Sequence, residues 1–294
     1  MPIADMLFAA LVALLWGGNF TVVRLGLDGG MPPLLFAALR FAVASGLMLF
    51  VPRPAVPWRL VALLGLVLGV GLYGLSTLAI AVGMAPGLGS LVLQSQAIMT
   101  IGLAGLVLRE RPPAAALIGT LVACGGLALI GLDRVHGSSL AGLAVTLAAA
   151  ACWAVSNILM KRLGPVDMLA LSVWMSPVAA AALGLLSLLF ETPATAWTHR
   201  SWSAVAVLLY AGPLSAAGGS ALWGTLLKRH PASRVAPFSL LVPVFGLAIA
   251  ALCLGERLDQ IKVAAAGLVF AGLALVLFKP QFRRRSASAP AKIF

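Results

Sequence analysis

The chain has 294 residues, 62% of them hydrophobic and only 10% charged, with a formal net charge of +12. Soluble domains carry about 25% charged residues, so a large soluble protein, whose helices need polar faces, is excluded. Positive charge in a soluble chain would point to nucleic acid; here it sits between apolar runs, and no nucleic-acid partner is expected.

A helix needs about 20 apolar residues to cross a hydrocarbon core of about 30 Å. Ten runs qualify: 4–23, 32–51, 60–82, 87–108, 113–131, 139–160, 167–189, 203–227, 232–254 and 260–278. Residues 1–6, MPIADM, hold no Lys or Arg. A cleavable signal needs a basic start, so the first run is expected to remain as a membrane helix.

The first run contains WGGNF, with Trp16 and Asn19 on one helical face and Gly17-Gly18 between them as a helix breaker. An Asn at that depth must find a partner or face a wet cavity. The second run carries Arg40 near its middle, where a charge costs about 2.5–3.5 kcal/mol on insertion scales. Asp5, Asp28, Glu110, Asp133, Asp167, Glu191, Glu256 and Asp259 all lie near ends or loops, so none sits at comparable depth. A guanidinium without a carboxylate suits a substrate carboxylate. The alternative is a structural Arg that satisfies carbonyls where a helix breaks, or snorkels.

In the third run Tyr73, Ser76 and Thr77 share a face. Gly65-x₃-Gly69 in this run and Gly83-x₃-Gly87 at its end favour close packing. Gly69-x-Gly71-x-x-Gly74 spells a dinucleotide fingerprint, but no strand precedes it, so no cofactor is expected. In the fourth run Ser90 and Gln94 share a face, while Gln96 points roughly 160° away from Gln94 on a regular helix. The sixth run repeats the first run's pattern with Trp153, Ser156 and Asn157, the seventh holds Trp174 and the expected breaker Ser176-Pro177, and the eighth holds Tyr210, the expected breaker Gly212-Pro213 and Trp223. Ser239 falls in the ninth, which Pro237 and Pro243 are expected to interrupt.

The expected substrate-contacting set is Arg40, Trp16, Asn19, Tyr73, Ser76, Thr77, Ser90, Gln94, Trp153, Asn157, Trp174, Tyr210 and Trp223. For each polar member the alternative is helix–helix hydrogen bonding, worth about 0.6 kcal/mol on average in membranes. Trp16 and Trp153 are expected on opposite sides of the midplane, each with its Asn, as alternating gates; the alternative places Trp in the interface belt. Cys124, Cys152 and Cys253 are solitary and read as packing residues, with no metal spacing. His136, His199 and His230 fall in loops or at helix ends, poor places for a buried proton relay. No ATP motif or catalytic set is evident, so an enzyme is not expected.

With the N-terminus cytoplasmic, fourteen Lys and Arg fall inside and five outside, with Arg40 within a helix. Arg53, Arg59, Arg109, Arg111, Lys161, Arg162, Lys228, Arg229, Arg234 and the tail belong inside; Arg24, Arg134, Arg200, Arg257 and Lys262 belong outside. This follows the positive-inside rule and places both termini in the cytoplasm. The basic tail reads as an anchor near anionic lipid.

The chain also repeats itself. Residues 85–112, APGLGSLVLQSQAIMTIGLAGLVLRERP, align with PASRVAPFSLLVPVFGLAIAALCLGERL from residue 231. Shifted by 146 positions, Glu110 falls on Glu256, Arg111 on Arg257 and Gly126 on Gly272. Five spans per copy is odd, so the second copy crosses in the opposite sense, an inverted repeat common in secondary transporters. The expected fold is an all-α integral membrane protein of ten transmembrane helices. It divides into a first repeat, 1–135, a second, 136–280, and a cytoplasmic tail, 281–294.

WGGNF, the Pro-Pro-Leu and LRF of residues 32–41, GLGSLVLQSQA, the twin ERP/ERL signals and WGTLL…RVAPFSLLVPV resemble the EamA branch of the drug/metabolite transporter superfamily. The similarity covers roughly residues 5–278 and is nearest to the O-acetylserine/cysteine exporters of that branch. The resemblance implies export of small amino-acid-like metabolites across a bacterial inner membrane by alternating access. A drug or hydrophobic-cation exporter is the alternative, which the lone intramembrane positive charge disfavours. The expected partners are a small-molecule substrate and the lipid bilayer; the oligomeric state stays open, a monomer included.

Overall fold

A computed structural model describes residues 1–28, 30–84, 86–110, 112–134, 139–163, 165–191, 202–254 and 260–277. Arg111, Glu256, Arg257, His136, His199 and the tail 281–294 lie outside the described residues, as do the side chains of Arg24 and Cys253. The described residues are all-helical, with no strand among them. In chain order the α-helices are α1 (Ile3–Asp28), α2 (Pro33–Ser45), α3 (Trp58–Leu64), α4 (Leu75–Ala81), α5 (Pro86–Leu93), α6 (Gln96–Leu108) and α7 (Ala114–Arg134). They continue as α8 (Leu140–Arg162), α9 (Met168–Phe190), α10 (Trp202–Leu209), α11 (Ser220–Arg229), α12 (Ala232–Val235), α13 (Leu241–Leu254) and α14 (Gln260–Leu277).

Five stretches are long and apolar enough to cross a membrane: Ile3–Leu27, Trp58–Ala81, Leu140–Arg162, Met168–Phe190 and Val205–Arg229. Many large apolar side chains point outward from them, among them Leu7, Leu66, Leu188 and Phe190. In water this outer face would be unstable; in lipid it is the solvated face. Shorter apolar helices occupy Pro33–Leu49, Gln96–Leu108, Ala114–Gly126 and Ala232–Gly246.

Two stretches depart from α geometry in matching places. Gly65–Gly74 joins α3 to α4, and Tyr210–Gly219 joins α10 to α11, both as π-helix ten residues long. Wider turns of this kind are rare and gather at functional sites. Gly65, Gly69 and Gly71 in the first stretch have no room for a side chain. A Cβ at Gly65 would lie 2.8 Å from the Met175 carbonyl oxygen, one at Gly69 would strike the Ala179 side chain, and one at Gly71 would lie 2.7 Å from Cys152 Sγ. The expected packing role of Gly65 and Gly69 is therefore seen against α9.

The second stretch presses on α2. A Cβ at Gly212 would collide with the Arg40 carbonyl oxygen. Gly212→Ala must therefore push the two elements apart, and overpacking of this kind costs about 1–3 kcal/mol. The expected result is a lower thermal unfolding midpoint for the purified variant; an unchanged midpoint would show that the contact can relax.

Several expectations about helix breaks need correction: α9 runs unbroken through Ser176-Pro177 and α13 through Pro243. Gly17-Gly18 does not interrupt α1, which runs unbroken through them. A Cβ at Gly17 would lie 2.6 Å from the Val242 carbonyl oxygen and 2.8 Å from Gly246 N, so the glycine serves the close crossing of α1 and α13. The fourth run, by contrast, is not one helix. It breaks between α5 and α6 at Gln94-Ser95, where a turn intervenes.

The polar termini sort into two ends. At one end Glu110 pairs with Lys161 at 3.3 Å, and Asp5 faces His230 Nε2 at 2.6 Å and Arg229 Nη1 at 3.4 Å. Lys161 Nζ also donates to the Leu227 and His230 carbonyls, at 2.7 and 2.6 Å. At the other end Glu191 accepts from the first amides of α2, Leu34 N at 2.6 Å and Leu35 N at 2.9 Å. There Ser139 N also donates to the Gly83 carbonyl at 3.1 Å.

Candidate functional site

A cavity of about 50 Å³ lies inside the bundle, between its middle and the Glu191 end. A water needs about 10–15 Å³ of such space, so several fit. Its wall is Trp16, Asn19 and Val23 from α1, Arg40 from α2, Leu72 and Tyr73 from the first π stretch, and Ser76, Thr77 and Ile80 from α4. Leu93, Trp153 and Val242 complete it.

Arg40 is the only charged member of this described lining. It is 1% exposed. Nη2 donates to Asn19 Oδ1 at 3.0 Å and to the Ala211 carbonyl at 2.8 Å. The guanidinium carbon stands 4.4 Å from the Tyr73 ring centroid. Arg40 thus takes the expected structural role, satisfying a carbonyl in the second π stretch, and it also lines the cavity. With Nη2 occupied by two acceptors, Nε is a donor left without a partner among the described residues.

The hydroxyls that share the α4 face are tied back to their own helix. Ser76 Oγ donates to the Leu72 carbonyl at 2.5 Å and Thr77 Oγ1 to the Tyr73 carbonyl at 2.8 Å. Their oxygen lone pairs stay available to a ligand, since each proton is already committed.

Trp16 and Trp153 meet, rather than standing on opposite sides of the midplane. Their centroids are 5.1 Å apart, edge to face, and Trp16 also lies 5.2 Å from Trp223. The reason is geometric: each Trp sits near the middle of its helix, and α1 and α8 run antiparallel. The two asparagines then diverge from this shared contact. Asn19 lies toward the Glu191 end and holds Arg40, whereas Asn157 lies toward the Lys161 end. Asn157 Nδ2 donates to Gln96 Oε1 at 3.2 Å and Thr100 Oγ1 at 3.0 Å, and Oδ1 accepts from Trp223 Nε1 at 2.9 Å. Gln96 Nε2 extends the network to Ser239 Oγ.

The structure thus brings Trp16, Asn19, Arg40, Tyr73, Ser76, Thr77 and Trp153 around one cavity. Ser90, Gln94, Asn157, Trp174, Tyr210 and Trp223 stand outside its described lining. Gln94 is buried at the helix break, with neither amide atom partnered among the described residues. Tyr210 OH donates to the Leu15 carbonyl at 2.8 Å, pinning α1 beside Gly18, and Trp174 Nε1 donates to the Val51 carbonyl at 2.9 Å. The apolar wall residues Leu72, Ile80, Leu93 and Val242 carry no polar signal that would mark them in the sequence.

The model of the EamA-like transporter family matches residues 4–132 and again 140–278. A "Probable amino-acid metabolite efflux pump" of Salmonella typhimurium (strain LT2) is 39% identical over 294 residues, spanning 95% of this chain and 97% of its own. A protein of the same name from Escherichia coli (strain K12) is 37% identical with the same coverage. A "Probable terminal-alkyne amino-acid exporter" of Streptantibioticus cattleyicolor is 29% identical, spanning 96% of both chains. A solved structure with 20% sequence identity superposes with a TM-score of 0.79 over 97% of this chain and 99% of its own, which is a likeness of fold. Two matches of one family model cover nearly the whole length, and the chain belongs to the EamA-like transporter family.

Proposed function

We propose that this transporter exports small amino-acid-like metabolites by alternating access, through ten spans built as two inverted five-helix repeats, 1–135 and 136–280. It is a multi-pass inner-membrane protein and not an enzyme. The observation that carries the reading is Arg40, a buried cation without a carboxylate partner among the described residues, in the wall of an otherwise mostly apolar cavity. Such a wall fits a ligand with one carboxylate and an apolar body. The names of the relatives at 39% and 37% identity agree with that chemistry.

The pairing of helix ends supports the charge-based orientation. Counting spans from a cytoplasmic N-terminus puts Asp5, Glu110, Lys161 and His230 inside, and they meet at one end. The same count puts Glu191 and the start of α2 outside, and they meet at the other end. With that orientation both termini are cytoplasmic, the cavity lies on the outer side, and the inner side is sealed. The seal has three layers: the Trp16–Trp153–Trp223 cluster, the Asn157 network, and the Glu110–Lys161 and Asp5–His230 pairs. The positive charge of Arg40 in the cavity wall disfavours the hydrophobic-cation alternative.

Counterflow in liposomes tests this, with labelled cysteine, O-acetylserine, threonine and an aromatic amino acid. Saturable counterflow of at least one is the expected result. Flux that rises linearly with concentration would indicate a channel, and no flux of any would overturn the reading.

A further inference from the structure

We propose that the cavity also accepts monocarboxylates without an α-ammonium group, namely 2-hydroxy acids and N-acylated amino acids, with affinity comparable to that of the parent amino acids. This rests on the export reading above. The argument is a charge inventory of the site.

No acidic side chain is among the described residues that line the cavity. The acids that the structure describes are engaged elsewhere. Asp5 serves His230 and Arg229, Glu110 serves Lys161, Asp167 caps α9 through the Leu169 and Ala170 amides, and Glu191 caps α2. The other four, Asp28, Asp133, Glu256 and Asp259, fall at run ends or in connections along the sequence. An amino acid's ammonium therefore meets only neutral acceptors. These are Asn19 Oδ1, already accepting from Arg40, the oxygens of Tyr73, Ser76 and Thr77, and the Trp16 and Trp153 rings.

The carboxylate, in contrast, meets a full charge away from water, where ionic hydrogen bonds are about twice as strong as neutral ones. The ammonium of a zwitterion lies close to its own carboxylate, so the guanidinium that attracts one repels the other. Replacing the ammonium by a hydroxyl or an acylated nitrogen removes that repulsion and leaves no protein anion unpaired. An acyl group would have to extend toward a neighbouring recess of only about 10 Å³. This recess, walled by Ala79, Met84, Gly89 and Thr146, shares Ser76, Ile80 and Leu93 with the first cavity.

The test is equilibrium dialysis of the purified full-length protein with labelled cysteine, threonine and phenylalanine. Each is compared with its 2-hydroxy acid, its N-acetyl derivative and its carboxamide. For side chains that bind, the hydroxy acid and N-acetyl forms are expected within about threefold of the amino acid, and the carboxamide at least about tenfold weaker. Arg40→Gln, checked for an intact helical spectrum, is expected to weaken all carboxylates by about tenfold or more. Amino acids that bind while both ammonium-free forms are more than about tenfold weaker would overturn the inference and leave the export reading standing. A carboxamide that binds as well as the acid would also overturn it. Binding of the ammonium-free acids alone would support the inference and overturn the amino-acid reading, and binding of no compound would overturn both.

Discussion

Arg40→Ala is expected to weaken amino-acid binding roughly 10- to 100-fold, because a hydrogen bond to a charged group contributes about 1.5–3 kcal/mol. Removing the side chain also strips two acceptors, Asn19 Oδ1 and the Ala211 carbonyl, of their donor. In membranes such bonds average about 0.6 kcal/mol each, so their loss costs folding about 1.2 kcal/mol, somewhat less than the loss expected in binding. Dialysis and thermal unfolding on the same sample separate the two. Arg40→Lys supplies the control: it keeps the charge but cannot hold Asn19, Ala211 and a ligand in one plane, so partial recovery of affinity is expected. Unchanged affinity in Arg40→Ala would end the carboxylate argument. Equal losses of stability and affinity would recast Arg40 as a brace between α2 and the second π stretch.

Much of this architecture is legible in the sequence because a membrane makes two kinds of error costly. Long apolar runs have no soluble alternative, so the helices were locatable from composition. A charge or amide inside such a run must have a reason, which singled out Arg40, Asn19 and Asn157. Legibility fails where the cause lies in another helix. Gly17 looked like a breaker because its neighbour across the crossing, α13, is invisible in local sequence. Gln94 and Gln96 were separated by a regular-helix angle, yet the chain breaks between them. Trp16 and Trp153 were assigned to opposite sides by counting residues, although both lie at mid-helix and pack edge to face. The π stretches at Gly65–Gly74 and Tyr210–Gly219 announce themselves only as glycine-rich segments, since their register comes from packing on α9 and α2.

Asn157→Leu should loosen the sealed end without touching the cavity wall. Asn157 is fully buried and makes three hydrogen bonds, two donated to α6 and one accepted from Trp223. At about 0.6 kcal/mol each, their loss shifts the balance toward the opposite state by close to 2 kcal/mol, or roughly 20-fold. The shift can be read with a cysteine in place of Ala104, a buried α6 residue beside the Glu110 turn, in a background whose native cysteines are replaced by alanine. Its reaction with a water-soluble maleimide should quicken by that factor. A second cysteine, at Ile80 in the cavity wall, distinguishes the causes. If the two ends open in alternation, labelling at position 80 holds or falls while position 104 rises. If the substitution merely unfolds the bundle, both rise together. No change at position 104 would mean that Glu110–Lys161 and Asp5–His230 close that end without help, and that the buried amide is a packing feature rather than part of the gate.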